Sequence, residues 1–127
     1  MTAQTTVAQQ WTRCRPWIEA ALAHGGGFHR IGDVERAIGA GEAIFWPGER
    51  CAIVTQFWTM PRARVLNFWL AGGDLTELVE VLRPRIEAFA AGSGCAAVVI
   101  AGRRGWERVL KPHGHIPLWT AYMKEIA

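Results

Sequence analysis

The sequence predicts a single α/β domain, residues 1–127, whose mixed sheet joins an antiparallel meander to a parallel βαβ pair. Three observations carry this. The strand-like runs 43–46, 51–58 and 62–71 follow one another through short connections, the pattern of a meander. Leu75, Leu78, Val79, Leu82, Ile86, Phe89 and Ala90 then form one apolar stripe at helical spacing. Cys95 to Ala101 is continuously apolar, without the alternation of a half-exposed strand, and so predicts a strand covered on both faces. Strand, helix and buried strand make a crossover unit, which places 62–71 and 95–101 parallel.

Taken in order, Thr6 and Gln9 have capping-box spacing, and Val7, Trp11, Cys14, Ile18, Ala21 and Leu22 recur at helical intervals. This predicts a helix from Val7 to His24, kinked or split at Pro16 and ended by Gly25-Gly26-Gly27. Asp33 reads as the N-cap of a short helix, Val34 to Ile38, closed by Gly39 and Gly41. Pro47-Gly48 has the residue order of a type II turn between the first two strands. Gly72-Gly73 leads into the long helix, with Asp74 and Glu77 as its capping pair, a kink at Pro84 and an end near Gly92. Beyond Gly102, a short helix from Arg104 to Lys111 should break at Pro112. Ile116 to Ile126, with Trp119, Tyr122 and Met123, reads as a last strand.

Composition narrows the function classes. At 127 residues and 50% apolar content the chain can bury a real core. Its longest apolar run, 95–101, has seven residues, far short of the roughly 18 that a membrane helix needs, so no membrane span is expected. Residues 1–10 are polar and predict no secretory leader, which makes the cytoplasm the expected location. Cys14, Cys51 and Cys95 lack any CxxC spacing and read as reduced core residues. A net charge of +3 does not indicate nucleic acid; the one dense basic cluster is Arg103, Arg104, Arg108 and Lys111. Seven tryptophans in so short a chain suggest that some face another subunit.

The candidate sites are few. Arginine forks in the Gly-Arg-Arg-Gly bend at 102–105 suit phosphate, nucleic acid or an acidic protein surface, and a solvated turn with one arginine pairing to Glu107 is the plain alternative. His113 and His115 have two-ligand spacing but no third ligand, so no metal is expected. Ser93, the only serine, lacks the outer glycine of a nucleophile elbow. Asp33 and Asp74, the only aspartates, both read as helix caps, which leaves no paired-carboxylate site. Phe45-Trp46, Phe57-Trp58 and Phe68-Trp69 are adjacent aromatic pairs on three strands, so one ring of each should enter the core beneath the helices and the other should lie on the opposite face. The amino-terminal helices or a partner protein would have to cover the second set.

The element order over about residues 7–126 resembles that of the GCN5-related N-acetyltransferase superfamily. So does the end of the chain, an apolar strand, a polar bend, a helix and then Gly114-His115 where that family usually has Gly-Phe. Trp-Leu-Ala-Gly-Gly-Asp-Leu at 69–75 with Gly-Arg-Arg-Gly-Trp-Glu-Arg-Val-Leu at 102–110 is similar to small acetyltransferase-like proteins of tailed bacteriophages and prophages. The resemblance implies a sheet with helices on both faces and acetyl-CoA held in a gap between the two parallel strands. Trp69, Leu70 and Ala71 would contact the pantetheine arm, Gly72, Gly73, Asp74 and Leu75 the pyrophosphate, and Arg103 and Arg104 the nucleotide end. A helix amino terminus suits the pyrophosphate, because it offers free N–H groups and the positive end of a dipole.

The chain departs from the family pattern at two places. Its phosphate loop is short and carries the Asp74 carboxylate, and Leu110 stands where the thiolate-protonating tyrosine commonly sits. These departures favour a non-catalytic protein of virion assembly or structure, whose partner is a phage structural protein or a second copy of the chain. The alternative is an active acyl-CoA-dependent N-acyltransferase.

Overall fold

In the computed structural model, which describes residues 6–102 and 105–126, four strands form one sheet in the order β1-β2-β3-β4. β1 (Ile44–Pro47), β2 (Cys51–Met60) and β3 (Ala63–Gly73) are successive antiparallel neighbours. β4 (Ala97–Ile100) runs parallel to β3, from Val65↔Ala97 to Phe68↔Ile100. The mixed sheet expected from the sequence is therefore present. Helices α1 (Val7–Leu22) and α2 (Ile31–Gly39) precede it, α3 (75–92) joins β3 to β4, and α4 (Gly105–Leu110) follows β4.

Local chemistry sets most of the boundaries. Thr6 Oγ1 accepts the Gln9 N–H at 3.1 Å and Gln9 Oε1 accepts the Thr6 N–H at 2.8 Å, a complete capping box. α1 then runs unsplit through the exposed Pro16 and ends at Leu22, two residues before His24. α2 begins at Ile31, three residues earlier than expected. Asp33 is not its N-cap: it lies in the first turn, where its carboxylate reaches back to the Arg30 N–H at 2.8 Å. Either position places a carboxylate against free helix N–H groups, which is why the sequence signal points one turn late.

Pro47-Gly48 does not form a type II turn, because Gly48 has no positive φ. Its N–H instead donates to the Cys51 carbonyl at 2.8 Å, and a Cβ on it would run into Glu77 Oε1 and the Cys51 side chain. Glycine is required here for room. The expected irregularity at Pro84 takes the form of a widened turn. α3 is α-helical over Leu75–Glu77, π-helical over Leu78–Leu82 and α-helical again over Arg83–Gly92, with the Arg83 N–H bonded to the Leu78 carbonyl five residues back. A proline ring crowds the carbonyl four residues before it, and the extra residue in the preceding turn relieves that crowding.

Two expectations about the carboxyl-terminal part are corrected. β4 is shorter than 95–101, and it is not covered on both faces: Ala97 is exposed and Val98, Val99 and Ile100 are half-buried. No described residue pairs with its outer edge. The segment 116–126 is not a strand but an exposed tail without regular secondary structure. Its composition suits a pleated surface, and strand propensity is realised only against a neighbouring strand.

The sheet separates two cores. Ala52, Val54 and Leu70 pack under α1 and α2 with Cys14, Ile18, Val34 and Ala37; Cys51, Ile53, Leu66 and Phe68 pack under α3 with Leu78, Leu82 and Ile86. Phe45 and Trp69 join the first core, while Trp46, Phe57 and Phe89 join the second. The amino-terminal helices thus supply the second cover. Among the seven tryptophans only Trp119 is exposed.

The two roles of glycine separate by substitution. Gly48→Ala should lose about 1–3 kcal/mol of stability in urea denaturation through overpacking. Gly39→Ala, at the end of α2 with nothing within 4 Å of its would-be Cβ, should gain up to about 1 kcal/mol.

Candidate functional site

The pairing of β2 with β3 steps from Val54↔Leu70 to Thr55↔Phe68, leaving Trp69 as an extra residue in a β-bulge. The bulge breaks strict alternation, so Trp69 and Leu70 both pack toward α1 and α2. Pairing with β4 stops one residue earlier, at Phe68↔Ile100. β3 continues to Gly73 bonded to β2 alone, and a cleft of about 510 Å³ opens where the parallel strands part.

β3 residues 69–73 form the floor of this cleft, residues 100–102 with Trp106 of α4 one wall, and the end of α1 with His24, Phe28 and His29 the other. The backbone groups of 69–73 that point away from β2 have no strand partner among the described residues. The lining is aromatic and aliphatic, and among the described residues His24 and His29 are its only ionisable side chains. The His29 ring meets Trp69 edge-on, with centroids 5.1 Å apart and planes at 72°. Sequence reasoning passes over both histidines. The available signal is the run His24, three glycines, Phe28 and His29, which places two imidazoles and a phenyl ring on one pliable turn whose Gly26 and Gly27 have φ of 79°.

Of the residues that the resemblance assigned to acetyl-CoA, Trp69, Leu70, Ala71, Gly72 and Gly73 line the cleft, whereas Asp74 and Leu75 do not. Leu70 is buried in the α1/α2 core, so backbone and the half-buried Trp69 ring are what this strand offers a ligand. Both glycines are accounted for by packing. A Cβ on Gly72 would enter the Trp17 carbonyl of α1, and Gly73, at φ 103°, lies against the backbone of Arg50 and Cys51. Asp74 caps α3: its carboxylate accepts the Glu77 N–H at 3.0 Å, and its own N–H donates to the Arg50 carbonyl at 2.8 Å. A fixed negative charge therefore stands where a pyrophosphate would need N–H donors. Arg103 and Arg104 lie outside the described residues. Leu110 is buried beside Leu78, Val79 and Arg83 under the sheet, and the exposed Tyr122 does not line the cleft.

The start of α3 is held by a buried carboxylate. Glu77 Oε1 accepts the Cys51 thiol and the Arg50 N–H, each at 2.8 Å, which joins the helix to the beginning of β2. The thiol hydrogen bond, followed by the Arg50 N–H, holds the Glu77 carboxyl below its usual 4.5 against the opposing effect of burial. Burial, reinforced by the Glu77 carboxylate, pushes the Cys51 thiol upward, and burial raises Cys14 too. A thiol held protonated in this way is not a nucleophile. Cys51 is a structural donor, consistent with a reduced core residue.

Comparison with known proteins bears on the fold. Crystal structures of a point mutant and the wild type of TTHA1254 from Thermus thermophilus align with this chain at TM-scores of 0.67 and 0.65. Each alignment covers 100% of this chain and 98% of the other at 13% identity, which establishes a common fold alone. No family model and no curated protein matches the sequence. Among the described residues no group of three or more potential metal-binding side chains occurs, and no helix is long and apolar enough to cross a membrane.

The acid limb of stability should report the Glu77 contact. Because its folded pKa lies below 4.5, the stabilisation is complete above the unfolded value and is lost as pH falls through the folded one. Glu77→Gln should cost about 1–3 kcal/mol at neutral pH, and its deficit in chemical denaturation should shrink as the pH is lowered past 4.5.

Proposed function

We propose that this chain is a non-catalytic binding protein on an acetyltransferase-like scaffold, and that the cleft between β3 and β4 holds an extended segment of a partner protein. The observation that carries this reading is Asp74. Its carboxylate occupies the amino end of α3, while Gly72 is packed against the backbone of α1. The residues present do not fit the pyrophosphate of acyl-CoA, which would meet like charge at a site whose donors are partly taken. Nor does any described residue lining the cleft match the tyrosine that protonates a leaving thiolate. An extended polypeptide makes different demands, namely unpaired strand backbone for hydrogen bonds and apolar pockets for alternate side chains. Residues 69–73 offer the first, and Phe28, Trp69 and Trp106 offer the second. The similarity of 69–75 and 102–110 to phage proteins makes a virion structural protein the partner of choice.

The second reading, an acyl-CoA-dependent N-acyltransferase acting on an amine, is favoured by one observation. The parallel strands part at a bulge, which leaves a channel beside free β3 backbone into which an extended pantetheine arm could be laid.

Calorimetric titration of the folded protein with acetyl-CoA, with desulfo-CoA as control, separates the two. No heat at millimolar ligand is expected. Micromolar binding to the folded protein would replace the proposal with the enzyme reading.

A further inference from the structure

The most conspicuous unpartnered surface of the molecule lies outside the cleft. After Leu110, the 3-10 turn Lys111–His113 and Gly114 at φ 89° redirect the chain, and His115 fixes the exit through its N–H and its Nδ1, both within hydrogen-bonding reach of the Leu110 carbonyl. The tail that follows presents Ile116 at 82% exposure, Leu118 at 64%, Trp119 at 57%, Tyr122 at 92%, Met123 at 59% and Ile126 at 91%. It carries no charged residue between Ile116 and Met123. Monomeric proteins rarely expose contiguous apolar surface beyond roughly 300–600 Å². Aromatic side chains alone bury roughly 150–250 Å² each. Trp119 and Tyr122 with their four neighbours therefore approach the roughly 800 Å² per partner that a standard interface buries.

The same chain holds the complementary deficiency. β4 has one strand neighbour, and no described residue pairs with its outer edge. Edges left open in this way are normally guarded by charge or proline, and Ala97-Val98-Val99-Ile100 has neither. The tail of the same subunit runs away from this edge, its Met123 sulfur lying beside the turn between α1 and α2, 3.4 Å from where a Gly26 Cβ would be. One surface seeks a sheet edge and the other is an uncovered sheet edge, both apolar and uncharged. A twofold axis satisfies each with the other, since every contact made by one subunit is then returned by its partner.

We infer that two copies of this chain associate through their carboxyl-terminal tails, with residues 118–123 of each added as a strand to the β4 edge of the other. Pro117 suits this arrangement, because it precedes the paired residues and leaves their N–H donors intact. The inference does not depend on what the cleft binds.

Sedimentation velocity of the full chain across the micromolar range tests it, together with hydrogen exchange at Ala97–Ile100. A dimer is expected, weakened at least about tenfold by Trp119→Glu or Tyr122→Glu, as loss of a buried aromatic anchor demands. Both side chains are exposed in the subunit, so the melting temperature of the dissociated variants should match that of dissociated wild type. The β4 amides should exchange more slowly in the dimer than in either variant. A monomer at every concentration overturns the inference, and so does a dimer indifferent to both substitutions or one that leaves β4 exchange unchanged. A monomer that cosediments with phosphatidylglycerol vesicles also overturns it, and assigns the tail to a lipid surface.

Discussion

The extra residue at Trp69 is the constraint on which the functional half of the molecule depends. A bulge bends its strand and raises the local twist, so β3 cannot stay parallel to β4 beyond that point. Three consequences follow from one inserted residue. The strands part into a cleft, two consecutive bulky side chains turn toward α1 and α2, and the end of β3 is driven so close to α1 that Gly72 has no room for a Cβ. Cleft and core are therefore two results of the same irregularity.

The amino end of α3 is held by electrostatics. A carboxylate caps the amino end of α3 from outside, and a second carboxylate, Glu77, is buried one turn inside, where a thiol and a backbone N–H compensate its charge. Of the two, Asp74 occupies a helix N–H, while Glu77 is spent on the Cys51 thiol and the Arg50 N–H at the start of β2. The arrangement stabilises the junction of helix and sheet.

Much of the fold was legible because its signals are local. The Thr6–Gln9 box, the apolar stripe of α3 and the meander of β1 to β3 are periodicities and caps that depend on residues a few positions apart. An error arose where a local signal had two geometric solutions, as with Asp33 in the first turn of α2 rather than at its N-cap. Others arose where composition described only half of a contact. The apolar character of 95–101 and 116–126 speaks of strands, but whether a strand is covered or paired depends on distant residues. The candidate site was legible in outline through 69–73. Its histidine wall was not, since His24 and His29 reach the cleft only through the fold of the triple-glycine turn.

The sequence by itself determined the α/β class, the order of the elements from α1 to α4, the capping of α1 and α3, and the separation of Phe45 from Trp46 and of Phe68 from Trp69 onto two faces. These follow from hydrogen-bond geometry and side-chain period, which are properties of neighbouring residues. Tertiary structure alone decided that Trp69 is bulged, that Gly72 and Gly73 serve packing, that Cys51 donates to Glu77 and that the tail pairs with no strand among the described residues. Each of those depends on residues far apart in the chain meeting at atomic distance, and no pattern along the chain encodes such a meeting.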